Sequence, residues 1–280
     1  MRRGAVGTAL AQTALAGVAV FMLVPFLYML GTALQGGTEP PLGVSAWLPA
    51  DPQYANFAVA LAALPFRSLF INSAVVASGV VLGQVLTGAA AAYAFARLRF
   101  PGRDRLFLGV LSLGLVPAVA LAVSRYVLVD ALGWVDHYAG LISTELVSVW
   151  GIFLLRQSFR AVPSQLEEAA RLDGAGEWAI FWRVALPLAR PALGAFAVVA
   201  FADAWRNFLW PLVVTRTVNA RVVEVGLAGF PTLAGPTWPV IMAAAAIVSA
   251  PLVVLALLLQ RRFVRGLELR AVWEPPAAGR

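Results

Sequence analysis

The 280-residue chain has no cysteine and a single histidine, His137. Without cysteine there is no disulfide framework, no thiolate metal site and no cysteine nucleophile. One imidazole alone rules out a histidine-cluster metal site, and no cofactor-binding loop stands out. Lysine is missing too, since all 21 basic residues are arginine. A phosphate-binding P-loop needs its lysine, so any ATP that powers this protein is bound by another subunit. Charge of either sign is scarce, at 12% of residues, against about 25% in soluble domains. Apolar residues fill the gap, with 61% hydrophobic and a mean hydropathy of +0.82. That composition belongs to an integral membrane protein. The net charge of +7 does not gather into the basic stripe that nucleic acid requires, so no nucleic-acid partner is expected.

A membrane-crossing helix takes about 20 mostly apolar residues. Six stretches qualify: Leu10–Leu34, Leu69–Ala96, Leu106–Leu128 with a bend at Pro117, Tyr138–Leu155, Ala192–Val214 and Val240–Leu259. The first is too long for a signal-peptide core and is expected to stay in place. The sequence from Gln35 to Arg67, rich in Pro, Gly and Trp, reads as a loop with amphipathic pieces. Small residues in the second stretch suit close helix packing in lipid. Six spans put both termini on one side. If that side is the cytoplasm, it holds sixteen of the 21 arginines, as the positive-inside rule demands. The expected plan is an all-α membrane protein of three parts: 1–68, a first span and outer loop; 69–262, the core; and 263–280, a cytoplasmic tail. Asp136 and His137, near the outer interface, are expected to be loop residues or to face an external binding partner.

One segment of the core, 160–191, breaks the apolar pattern. From Leu166 to Pro191 it reads LEEAARLDGAGEWAIFWRVALPLARP. Ser164 and Glu167 stand in the register of a capping box, Ala169 and Ala170 are strong helix formers, and Gly174 can take the left-handed turn that ends a helix. A second piece from Glu177 to Leu186 presents Trp178, Phe181, Trp182 and Leu186 for the lipid interface, with Pro187 and Pro191 breaking it before the next span. The plain reading is a capped cytoplasmic connector. The sharper reading is a rigid peg: small residues let it enter a partner's groove closely, and its acids can pair with the partner's arginines.

EAARLDGAGEWAIFWRVALPLARPAL resembles the EAA loop of binding-protein-dependent ABC import permeases, with Glu168, Ala169, Ala170, Asp173, Gly174, Leu186, Pro187 and Pro191 in the family's order. Further likeness to the carbohydrate subfamily, which includes the smaller maltose-importer permease, lies in NFAVALAALPFRSLFINSAVVA, FPGRD, WRNFLWPLVV and LLLQRRFVRGL. The tail LELRAVWEPPAAGR departs from that subfamily, being longer and less basic. The resemblance implies the type I ABC importer permease fold, six transmembrane helices with a cytoplasmic coupling helix, in the bacterial inner membrane. It implies a transport subunit rather than an enzyme, for a sugar or oligosaccharide. Implied partners are cytoplasmic ATP-binding subunits, a second homologous permease (a heterodimer), an extracytoplasmic solute-binding protein, membrane lipid and the small-molecule substrate. Carried over residue by residue, the ATPase-coupling set is Glu167, Glu168, Ala169, Ala170, Asp173 and Gly174, with Glu168 as the ion-pair partner.

Polar residues inside spans are candidates for the substrate path. Asn72, Gln84 and Thr87 qualify in the second span, and Asp203, Trp205, Arg206 and Asn207 in the fifth. Asn72, Gln84, Trp205 and Asn207 form the candidate set, with Trp205 and Asn207 able to stack on and hydrogen-bond a sugar. Against this, Asp203 and Arg206 lie three apart and can simply neutralise each other, and membrane aromatics are commonly packing residues. Two other classes stay open at this point. A secondary transporter or channel would show inverted repeats and more buried ionisable residues, and a membrane enzyme would show a nucleophile–base pair or metal cluster.

Overall fold

The computed structural model describes residues 2–37, 43, 47, 49–230 and 237–272, with side-chain surroundings for those between 11 and 258. Among the described residues every regular element is a helix. In chain order the α-helices are α1 (Arg2–Ala33), α2 (Ala55–Ala63), α3 (Phe66–Arg97), α4 (Arg103–Leu113), α5 (Ala122–Ala131), α6 (Tyr138–Ser143), α7 (Val149–Ala161), α8 (Ser164–Leu172), α9 (Glu177–Ile180), α10 (Leu186–Leu188), α11 (Arg190–Trp205), α12 (Leu209–Val214), α13 (Val223–Ala228) and α14 (Trp238–Val272). The tail's last residues, 273–280, lie outside the described residues.

Among the described residues three helices are long and apolar enough to cross a membrane by themselves: 11–33 of α1, all of α3, and Trp238–Leu258 of α14. Two more crossings are possible as bent pairs, α4 with Ala118–Ala131 at 88° and Glu177–Leu188 with α11 at 74°. The first break ends at Pro117, where the bend was expected. Proline cannot donate to the preceding turn and pushes residue 116 out of the helical region.

The expected fourth and fifth spans differ from single helices. Tyr138–Leu155 is two helices, α6 and α7, parted at 144–148. Ser148 takes the N-cap of α7, its hydroxyl accepting from the Gly151 amide at 3.0 Å, so helical periodicity restarts there. The fifth stops at Trp205 and resumes as α12.

The chain divides into two compact units, 1–66 with 226–251 and 67–225 with 252–280. In the first, α2 is pinned to the end of α1. Asn56 Nδ2 donates to the open carbonyls of Ala33 (2.9 Å) and Gln35 (2.8 Å). The core of the second unit lies between α3, α7 and α11, where Ala89, Ala92, Tyr93, Leu155, Phe159 and Phe196 are buried together. Its closeness depends on glycine. A Cβ on Gly83 would stand 2.3 Å from Leu146 Cδ2, and one on Gly151 would stand 2.3 Å from the tip of the Phe196 ring. A second cluster joins Val76, Val80, Val129, Leu141, Trp210 and Val214.

Candidate functional site

The charged segment folds as a helical peg with a sharp return. α8 runs for nine residues, followed by Gly174 at φ +84°, a backbone that only glycine adopts without steric cost. The Gly174 amide donates to Arg171 O (3.0 Å) and the Ala175 amide to Ala170 O (2.9 Å). This pair of bonds is the Schellman closure, which satisfies carbonyls left open at the helix end. The chain therefore reverses and lays α9 beside α8.

The N-terminus is built otherwise than the capping-box reading expected. Pro163 is the N-cap, Ser164 already lies in the first turn, and no side chain caps the end. A proline has no side-chain acceptor, and Glu167 does not reach back to the N-cap because it points into the protein, 2% exposed. Its Oε1 lies 3.1 Å from Arg97 Nε, and Arg171 Nη2 stands 3.8 Å from its other oxygen. Burial raises the Glu167 carboxyl above its ordinary value, against the opposing pull of Arg97 and Arg171.

The paired groups form a chain across elements. Arg171 meets Glu177 through two bonds, Nε to Oε1 at 2.7 Å and Nη2 to Oε2 at 3.2 Å. Tyr93 Oη, on α3, donates to Glu177 Oε2 at 3.3 Å. Arg97 Nη2 donates to Phe159 O at 2.7 Å and also to Val162 O. Arg97, Tyr93 and Glu177 were not among the sequence candidates, because Arg97 lies about 70 residues from its partner and no local spacing links them. Phe181, expected at the lipid interface, is instead buried against Tyr93 and Phe159. Trp178 stays exposed.

The opposite face of α8 is open. Gln165, Glu168, Ala169 and Leu172 recur at the spacing of one helix face, and all four are exposed. Leu172 is 90% exposed, an apolar side chain left bare on a helix end. Of the six coupling candidates, Glu168, Ala169, Asp173 and Gly174 are exposed, Ala170 is half-buried and Glu167 faces inward.

The polar residues of the spans separate into two groups. Asn72 is occupied by a latch: its Nδ2 donates to Asn219 O (2.7 Å) and Arg221 O (2.8 Å), and its Oδ1 accepts from Tyr138 Oη (2.7 Å). Trp205 is buried, stacked on Phe201 with Phe70 at 5.8 Å. Gln84 and Asn207, by contrast, line one cavity with Glu145 and Asp203. Gln84 Nε2 donates to Glu145 O at 2.9 Å, and Thr87 Oγ1 to Leu146 O at 2.7 Å, so both serve open carbonyls in the break between α6 and α7. The Glu145 carboxylate is held by Arg125, whose guanidinium lies 4.2 Å from the centre of a Trp210 ring. Among the described residues no ion pair joins Asp203 to Arg206, contrary to the neutralising pair that their spacing suggested. Asp136 instead accepts from the Thr217 amide (3.1 Å), tying two loops together, and His137 Nδ1 lies 2.7 Å from Val135 O.

Residues 84–269 match the family model described as binding-protein-dependent transport system inner membrane component. The chain is 37% identical over 206 residues to the sn-glycerol-3-phosphate transport system permease protein UgpE of Yersinia pestis bv. Antiqua (strain Antiqua), covering 72% of this chain and 73% of the relative. It is 34% identical over 203 residues to the arabinooligosaccharides transport system permease protein AraQ of Halalkalibacterium halodurans, with the same coverage. Its fold is similar to a chain in the crystal structure of a bacterial ABC transporter involved in the import of the acidic polysaccharide alginate, with a TM-score of 0.78 and 22% identity over 94% of this chain and 98% of that one. The chain belongs to the family of inner membrane components of binding-protein-dependent transport systems.

Proposed function

We propose that this permease subunit forms half of the path of an ATP-driven importer for a hydroxyl-rich solute, a sugar or oligosaccharide. ATP is hydrolysed in a separate cytoplasmic subunit that grips α8. The observation that carries this reading is the division of α8 into two faces. One is locked to the permease through Glu167 and Arg171. The other, Glu168, Ala169 and Leu172, lies bare beside a turn fixed by Gly174. A peg that moves a membrane helix needs both faces, one to be pushed and one to push. Glu168 supplies the charge for a partner arginine, and Ala169 lets the surfaces approach closely.

The second permease is a homologous chain, so the pair is a heterodimer, and an extracytoplasmic binding protein delivers the cargo. Both termini lie in the cytoplasm, which places α8 on the ATPase side. The cargo class rests on the relatives named above, which are named for the transport of sn-glycerol-3-phosphate and of arabinooligosaccharides. Gln84, whose Nε2 already serves Glu145 O but whose Oε1 has no partner among the described residues, and Asn207 lie on the wall of one small cavity and are the path residues left to hydrogen-bond hydroxyls. Asn72 and Trp205 serve the framework.

The test is solute-dependent ATPase stimulation in the reconstituted complex, screened over sugars, oligosaccharides, glycerol phosphates, amino acids and peptides. Stimulation by a carbohydrate with its binding protein supports the reading. Stimulation only by amino acids or peptides rejects the cargo class, and a complex that transports without any ATPase rejects the mechanism.

A further inference from the structure

Arg97 closes the last turn of α3, and its guanidinium touches two other elements at once. Nε lies 3.1 Å from Glu167 Oε1 of α8, an ion-pair contact rather than an aligned hydrogen bond. Nη2 donates to the carbonyls of Phe159, inside the last turn of α7, and Val162, just past its end. α8 is joined by the backbone to α7 and towards α9, whereas about 70 residues separate it from α3. Any force passing from the peg to α3 therefore goes through side chains.

Apolar contacts between helices slide at little cost. A buried ion pair does not, because separating its members leaves charges with no water to replace the partner. The forked guanidinium also fixes direction, since its donors are rigid relative to one another. In a chain with 12% charged residues, Arg97, Glu167, Arg171 and Glu177 meet within one set of contacts, while the exposed face of α8 keeps Glu168 for other uses.

We propose that Arg97 is a positioning residue of the transport cycle: by gripping Glu167 and the end of α7 together, it carries displacement of α8 into α3. The claim rests on the coupling role proposed for α8 and adds a route for the motion once it has entered the permease. It assigns Glu167 to the inner linkage and leaves the exposed face of the helix to the ATPase.

The experiment uses the whole transporter, reconstituted in liposomes with its ATPase, second permease and binding protein. It reads cargo moved per ATP hydrolysed, alongside the amount of ATPase that co-purifies. Arg97→Gln is expected to retain the ATPase and to lower cargo per ATP at least tenfold. Glu167→Gln and the double variant are expected to give the same ratio as Arg97→Gln, because each breaks the same link. Arg97→Lys preserves the charge but not the fork, and its ratio falls between wild type and Arg97→Gln; it also provides the reading should Arg97→Gln fail to assemble. An unchanged ratio in Arg97→Gln and Arg97→Lys would overturn the proposal. So would uptake and hydrolysis that fall together in proportion to assembled complex, the signature of a purely structural residue. Glu168→Arg separates this claim from the one beneath it. Unchanged ATPase binding and transport in that variant would reject the docking role of α8, while normal coupling in the Arg97 variants rejects only the route.

Discussion

Gly174 and the adjacent glutamates show how much depends on single positions. Gly174 sits at φ +84° with nothing within 4 Å of a Cβ placed there, so a substitution meets backbone strain and no clash. A left-handed L-residue costs about 1–2 kcal/mol, and Gly174→Val is expected to lower stability by about that amount and to loosen ATPase association in pull-down. Gly174→Asn should be milder, because asparagine tolerates this region. Glu167 and Glu168 are neighbours in the chain with opposite surroundings, one 2% exposed beside Arg97 and Arg171, the other in water. Burial raises the Glu167 carboxyl even with Arg97 and Arg171 pulling it down, and Glu177 and Glu168 add to the rise. The folded state then binds the proton more tightly than the unfolded state, whose value is about 4.3. The stabilisation is complete below that pH and is lost as pH rises through the folded value. Glu167→Gln should flatten this slope in thermal unfolding of the purified complex above about pH 4. The sequence pattern marked both glutamates as one set. Which of them turns inward follows from where α3 and α7 end, and local spacing does not carry that.

At the scale of elements, helix contacts rest on missing side chains. α7 meets α11 where Gly151 accepts the Phe196 ring, and a Cβ would come within 2.3 Å of Cζ and 2.7 Å of Cε2. Phe196 is itself buried and has little room to yield. Gly151→Ala is therefore expected to cost roughly 1–3 kcal/mol as overpacking, visible as a lower unfolding temperature of the assembled transporter. The bend before Ala118 was legible from Pro117, since proline acts on its own backbone. The interruption at 144–148 was not, although Ser148 is a cap residue in plain view. An apolar run from Tyr138 to Leu155 satisfies the length and hydropathy of a span. What divides it is the cap at Ser148, together with side chains from α3, Gln84 and Thr87, which reach across to its open carbonyls.

For the molecule as a whole, the arginine distribution makes a topological statement. On the six-span reading sixteen of the 21 arginines fall on one side, and reporter fusions at either terminus are then expected to report cytoplasm, and one inserted after residue 51 the outer side; the reverse pattern would place α8 away from any ATPase. Glu168→Arg should abolish co-purification of the ATPase while leaving insertion in the membrane intact, since the residue is exposed and makes no internal ion pair among the described residues.

The amino-acid sequence by itself determined the solvent, the family and the place of the short charged helix. Charge content, hydropathy and a contiguous run of about 25 residues are properties of neighbouring positions, and they survive being read one after another. Tertiary structure alone decided which polar groups remain available. Asn72 is spent on the carbonyls of Asn219 and Arg221, Glu167 on Arg97, and Gln84 and Asn207 share a cavity wall. A hydrogen bond or ion pair saturates a group only when a distant segment delivers its partner to within about 3 Å, and that delivery is a property of packing.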